Sequence, residues 1–192
     1  MPSVLSSLLA ACLLGMPFPG LAEVVLSEHV EHYLLDGTTA EDLRSQLSQR
    51  GPTARGQSVA GITRHALSVQ YWRRQNGDAC EAYGIRVELV VTMRLPRWRP
   101  RHAPAQALAD QWSRLEHGLR MHELGHRDNG VAAAHELDAR LRQIGAAPDC
   151  DTLKMMFDAV RRESRLSLQA REDAFDRETD HGRRWMRASG ID

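Results

Sequence analysis

No charge of either sign prevails in this 192-residue chain, where Lys plus Arg and Asp plus Glu number 25 each. Without a basic excess there is no electrostatic footprint for nucleic acid, and no nucleic-acid partner is expected. Cysteine is scarce too: the three present, Cys12, Cys80 and Cys150, sit at spacings that no cysteine-based metal site uses. Internal repeats and low-complexity segments are absent, which excludes solenoids and biased scaffolds. Beyond residue 22 no apolar run is long enough to cross a bilayer, so no transmembrane segment is expected in the mature chain. Nothing specifies an oligomeric state.

What is present is ordinary for a folded protein, 42% hydrophobic and 26% charged residues. The length suits one core, hence one domain over residues 23–192. Residues 1–22 read differently: they carry no charged side chain, are apolar through Met16, break at Pro17 and Pro19, and end on the small residues Gly20 and Ala22. That is the pattern of an export signal peptide cleaved near Ala22, which places the protein in the periplasm or outside the cell. The stretch Leu9 to Cys12, "LAAC", also resembles a lipobox that would leave a lipid anchor on Cys12; it ranks second because the apolar run continues past Cys12. Once the signal is removed Cys80 and Cys150 remain, and in an oxidising compartment one disulfide between them is the economical reading. In a reducing compartment they would be two buried thiols.

Along the chain, "HVEHYLLDG" (29–37) alternates like a strand, and Thr38 or Thr39 can cap a short amphipathic helix carrying Leu43 and Leu47. The stretches 60–75 and 80–96 alternate around the turn signal Asn76-Gly77-Asp78, which predicts an antiparallel hairpin. A Pro- and Arg-rich connector follows, read as a solvated loop. Two helical stretches come next, one with bends expected at Gly118, Gly125 and Asn129-Gly130, the other opening at Cys150 or Asp151. Met155, Met156 and Phe157 are read as core. Strands before helices predict an α+β domain, a small, mainly antiparallel sheet packed on helices.

The chemistry concentrates in "LRMHELGHRDNG" (119–130). His122 and His126 are four apart, so a helix places both imidazoles on one face, within reach of one ion. Glu123 projects roughly 60° from His126. Its carboxylate therefore stands beside the ion, where it can take a proton from a water that the metal activates. Nine histidines and 12 glutamates in 192 positions make His-Glu-x-x-His by chance in only a few per cent of shuffled chains, on the order of 3%. A solvated, histidine-rich helix is the bland alternative. The longer metzincin pattern is excluded, because Asn129 and Ala132 stand where it requires Gly and His. His117 and His135 project to the opposite side of the helix, and His135 lies about 13 Å along the axis from His126. A third ligand must come from elsewhere, and "FDRETDHG" (175–182) is the densest remaining polar cluster. His181, followed by Gly182, ranks first; Asp176 competes as a ligand or as an acceptor that orients an imidazole; Thr179 can hydrogen-bond in the same shell.

Four stretches, "YLLDGTTAEDLRSQL", "YGIRVELVVTMRLPRW", "HELGHRD" and "FDRETDHG", together resemble a bacterial family, domain of unknown function 922, described as predicted secreted zinc-dependent proteases. The resemblance covers most of the chain after the signal. It implies a zincin-like fold with His-Glu-x-x-His on a central helix, one zinc ion per chain, His122 and His126 as ligands and Glu123 as the catalytic acid and base. It also carries over Asp176, Thr179 and His181 as site residues, and Phe175 stands where a tyrosine is expected. The expected function is thus an exported single-zinc metallohydrolase, a peptidase acting on peptide or protein substrates. Two alternatives stand beside it: a zinc-stabilised periplasmic binding or scaffold protein without catalysis, and an amide hydrolase acting on cell-wall peptide.

Overall fold

The computed structural model describes residues 23–191. The signal-peptide and lipobox readings, Cys12 included, lie outside the described residues. Strand β1 (Glu23–Leu35) is followed by helix α1 (Ala40–Arg50), the two-residue strands β2 (Thr53–Ala54) and β3 (Gln57–Ser58), and the long strands β4 (Ile62–Asn76) and β5 (Ala79–Trp98). Helices α2 (Gln106–Arg142), α3 (Cys150–Thr179) and α4 (Arg183–Met186) complete the chain with a 3-10 turn at Arg187–Ser189.

Strands β4 and β5 form the antiparallel hairpin, turning at Gly77-Asp78 with Gly77 at φ +60°. The sheet order is β1-β5-β4, and β1 runs parallel to β5, so the sheet is mixed where a mainly antiparallel one was expected. The reason lies in the connection. The chain leaves β1 beside Trp98 and enters β4 beside Arg94, at the same end of the sheet, and α1 with the β2–β3 hairpin spans that end. The alternation of β1 marks it as a strand but does not select its partner.

On β5 the alternate residues Val87, Leu89, Val91, Met93 and Leu95 are buried, and this face carries the core. The core has two parts along α2. Leu108, Trp112, Leu115 and Leu119 pack with Tyr33, Leu35, Leu43, Leu47 and Ile191. Ala134, Leu137 and Leu141 pack with Val87, Leu89, Leu153 and Phe157. His122, Glu123 and His126 fall between these two apolar stretches of the same helix. Phe157 stacks on Tyr71 at 4.2 Å. Met155 and Met156, read as core from the sequence, are instead 64% and 40% exposed; three consecutive helical residues sweep about 200°, too wide for one core face.

Helix α2 runs unbroken through Gly118, Gly125 and Gly130, where bends were expected. Each glycine marks a close approach: a Cβ there would lie 2.6 Å from the Trp185 carbonyl oxygen, 2.2 Å from the Phe175 ring and 2.3 Å from the His65 ring, respectively. Asp149 caps α3 by accepting from the Asp151 and Thr152 amides, and the helix runs on to Thr179. The disulfide joins Cys80, near the start of β5, to Cys150, the first residue of α3. Among the described residues no helix is long and apolar enough to cross a membrane.

Candidate metal centre

One turn of α2 brings His122 and His126 together, and the last turns of α3 bring Asp176 across to them. His126 Nε2 lies 3.1 Å from His122 Nε2 and 3.1 Å from Asp176 Oδ1, and His122 Nε2 lies 3.4 Å from the same oxygen. Two ring nitrogens and a carboxylate oxygen thus form a nearly equilateral triangle. The edge of a tetrahedron with metal-to-ligand distances of about 2.0–2.1 Å is about 3.3 Å, so the triangle has the dimensions of one face of a tetrahedral zinc site. The protonation pattern agrees. Each Nδ1 faces an acceptor: Glu172 Oε2 stands 2.7 Å from His126 Nδ1, and Thr179 Oγ1 stands 3.4 Å from His122 Nδ1. The Thr179 hydroxyl donates onward to the Phe175 carbonyl at 2.8 Å, leaving its lone pair for the ring. With both Nδ1 atoms as N–H donors, both Nε2 lone pairs converge on Asp176, an arrangement that only a proton or a cation between them satisfies.

The triangle is braced on several sides. Glu172 also accepts from the Asn129 side-chain amide at 2.9 Å. Phe175 lies against both rings, stacked on His122 at 5.3 Å and edge-on to His126 at 5.0 Å, with Gly125 leaving it room. His65 Nε2 is 3.0 Å from the His126 carbonyl oxygen, which ties β4 to the helix beside the second histidine. Beyond α3, Asp180, His181 and Gly182 all have positive φ, a tight left-handed stop that brings the Gly182 backbone against the His122 ring; a Cβ there would lie 2.8 Å from Cγ.

That stop decides where His181 goes. Its amide bonds back to the Asp176 carbonyl, its side chain is 64% exposed, and Nδ1 lies 3.6 Å from Asp176 Oδ2, the oxygen away from the triangle. The structure seats Asp176 at the convergence point and His181 at the rim. Asp176 reaches the point because α3 continues past it and holds it on the face toward α2. Thr179 is buried and touches His122, as a partner of the ring. His117 and His135 are exposed on the far side of α2.

Glu123 is 2% exposed. Its Oε2 accepts from the Thr63 hydroxyl at 2.7 Å, and Gly61 comes so close that a Cβ there would lie 2.9 Å from Oε1. Burial pushes its carboxyl up to about 7, against the Thr63 hydrogen bond, which favours the ionised form. Burial pushes His122 down to about 4, with His126 adding to the effect. At His126 burial acts the same way, but the hydrogen bond and charge of Glu172, with Glu123 and Asp176, outweigh it and raise the ring above its ordinary value. Glu123, His126 and Asp176 all line one open cavity of about 670 Å³ between β4 and α3.

Thr63, His65 and Glu172 were not singled out from the sequence, and Asn129 was noted only for an expected bend and against the metzincin pattern. Only Glu172 left a signal there, four residues before Asp176 and hence on the same face of α3. No curated protein and no solved structure matches this chain. Residues 30–182 match the model of a family described as bacterial protein of unknown function (DUF922). That span takes in the paired strands, the histidines of α2 and the carboxylate of α3, and the chain belongs to this family.

Proposed function

We propose that this protein is an exported, zinc-dependent hydrolase of peptide bonds, zincin-like in carrying His122, Glu123 and His126 on a central helix. The observation that carries the reading is the triangle of His122 Nε2, His126 Nε2 and Asp176 Oδ1, beside a buried carboxylate that opens into the same cavity. His122, His126 and Asp176 would hold one zinc ion, with His181 beside the outer oxygen of Asp176. Such an ion supplies Lewis acidity, which lowers the pKa of a water towards neutrality and polarises a carbonyl. Glu123 then has a definite task. Thr63 holds its Oε2, so Oε1 is the atom left to take a proton from water and pass it to the leaving nitrogen. Glu172 and Thr179 keep the two imidazoles in the tautomer that offers Nε2. The disulfide supports the exported setting, since such bonds persist in oxidising compartments.

The test combines metal content with turnover. Elemental analysis is expected to find one zinc per chain in the wild type and in Glu123→Ala, and a loss of zinc in Asp176→Ala. Hydrolysis of casein, or of purified sacculi if the substrate is cell-wall peptide, is expected to vanish in Glu123→Ala. A wild type that binds no zinc, or a Glu123→Ala variant that still turns over, would overturn the proposal.

A further inference from the structure

The cavity beside the metal triangle has charged walls, and the partners of those charges are unevenly distributed. Its carboxylates are all engaged: Glu172 by His126 and Asn129, Asp173 by Arg55 and Gln169, Asp176 by the two histidines, and Glu123 by Thr63. Of its three arginines, Arg55 is used in the pair with Asp173. The other two are not. Arg64 on β4 and Arg165 on α3 both line the cavity, both are exposed, and neither guanidinium has a hydrogen-bond or ion-pair partner among the described residues. Ile62, Leu67 and Leu168 line the space with them. The cleft therefore offers an incoming chain apolar contacts and one unengaged cation along α3, Arg165, with Arg64 at its rim, while its own anions are already occupied.

Distances along the walls say where these cations act. Thr63 and His65 both turn their side chains to α2, so on the alternating strand Arg64 between them projects from the opposite face and borders the cavity at the open edge of the sheet. Arg165 is 11 residues before Asp176 on α3, about 16 Å along the helix axis. An extended substrate advances about 3.3 Å per residue, so Arg165 stands up to about five residues from the reacting bond, and its long side chain shortens that span.

We infer that this arm of the cleft is a carboxylate-binding subsite, and that the substrate carries a carboxylate within about five residues of the bond cleaved. The carboxylate is either an acidic side chain or a free chain terminus. Planar guanidinium matches planar carboxylate in both cases, and the pairing sets preference more than catalysis. The position relative to a cleaved bond rests on the hydrolase reading; the carboxylate-binding subsite itself does not.

The experiment uses the zinc-loaded protein and matched fluorogenic peptides with Glu or Gln at successive positions on either side of the cleaved bond, each with a free or an amidated C-terminus. An exposed arginine–carboxylate pair is worth a factor of roughly two to five, and one carboxylate engages one arginine, so a peptide with a single Glu is expected to exceed its Gln counterpart by that factor in kcat/KM. That ratio is expected to fall towards one in Arg64→Gln/Arg165→Gln, to shrink between low and high salt, and to keep its wild-type value in Arg162→Gln, outside the cavity lining. The charge reversal Arg165→Glu is expected to shift preference towards Lys-bearing peptides. Dependence on internal Glu identifies a side-chain ligand, and dependence on the free terminus identifies a terminal one; either supports the subsite. Equal cleavage of acidic and neutral peptides overturns the subsite and leaves the hydrolase reading standing. If no peptide is cleaved, fluorescence anisotropy decides. Tighter binding of acidic peptides, lost in the double arginine variant, upholds the subsite while the hydrolase reading fails; equal binding removes both.

Discussion

Replacing Glu123 with glutamine is expected to stabilise the metal-free protein, by an amount that grows with pH. Glu123 is 2% exposed, and burial lifts its carboxyl from 4.5 to about 7. Below pH 4.5 the group is neutral in both folded and unfolded chains and contributes nothing to the difference. Between 4.5 and about 7 the unfolded chain releases the proton first, so the wild type loses stability as pH rises, by about 1.4 kcal/mol per unit. Above that window both forms are ionised and the penalty is constant, on the order of 3 kcal/mol. Glutamine never ionises and keeps an oxygen for the Thr63 hydroxyl, so it escapes the penalty. For a chain of this size the gain corresponds to about 6–12 °C in Tm at pH 8, and almost none at pH 4.5. Urea unfolding of chelator-treated wild type and Glu123→Gln across pH 4.5 to 8.5 measures it directly. A stability difference that stays flat over that range, or a glutamine variant weaker at pH 8, would refute the claim that burial sets the state of this carboxylate.

Other perturbations follow from the packing and the disulfide. Glu172→Gln should lower zinc affinity about 10- to 100-fold, measured by competition with a chromophoric chelator, because it weakens the acceptor that holds the His126 ring. Gly125→Ala puts a Cβ where the Phe175 ring lies, so it should displace the end of α3 that carries Asp176; zinc retention after dialysis should fall even where circular dichroism shows helix content unchanged. Reducing the disulfide, or replacing its cysteines with alanine, should cost about 4 kcal/mol in the chain-entropy treatment of a 70-residue separation, read from the urea midpoint.

Much of the molecule is visible in local patterns. Alternation marks β4 and β5, the Asn76-Gly77-Asp78 signal marks their turn, and the two cysteines beyond residue 22 anticipate the Cys80–Cys150 bond that the structure contains. The four-residue spacing of His122 and His126 becomes one helical face. What local pattern does not carry is the partner of an element. The parallel pairing of β1 depends on which end of the sheet α1 spans, and the place of Asp176 at the triangle depends on where α3 stops. His181 drew attention because a glycine follows it, yet that glycine serves the backbone's own approach to His122. Thr63 and His65 come from a strand some sixty residues before the histidines, and no sequence period connects the two.

The glycines of α2 connect these observations. Gly118, Gly125 and Gly130 each forgo about 1 kcal/mol of helix propensity relative to alanine, and buried Glu123 costs about 3 kcal/mol more at neutral pH and above. Gly118 serves the core itself, where the backbone at Met186 packs against α2, whereas Gly125, Gly130 and the acid lie at the metal triangle. Each glycine admits a group from elsewhere in the chain: the backbone at Trp185, the ring of Phe175 beside both histidines, and the ring of His65 at the His126 carbonyl. The combined cost, about 6 kcal/mol, is within a few kcal/mol of the roughly 4 kcal/mol contributed by the disulfide, which joins β5 to α3, the helix that carries Asp176. Alanine at Gly125 or Gly130 would regain helix propensity only by driving out the ring that packs there. A helix that keeps Gly125, Gly130 and a buried acid is shaped by what it must hold at its centre.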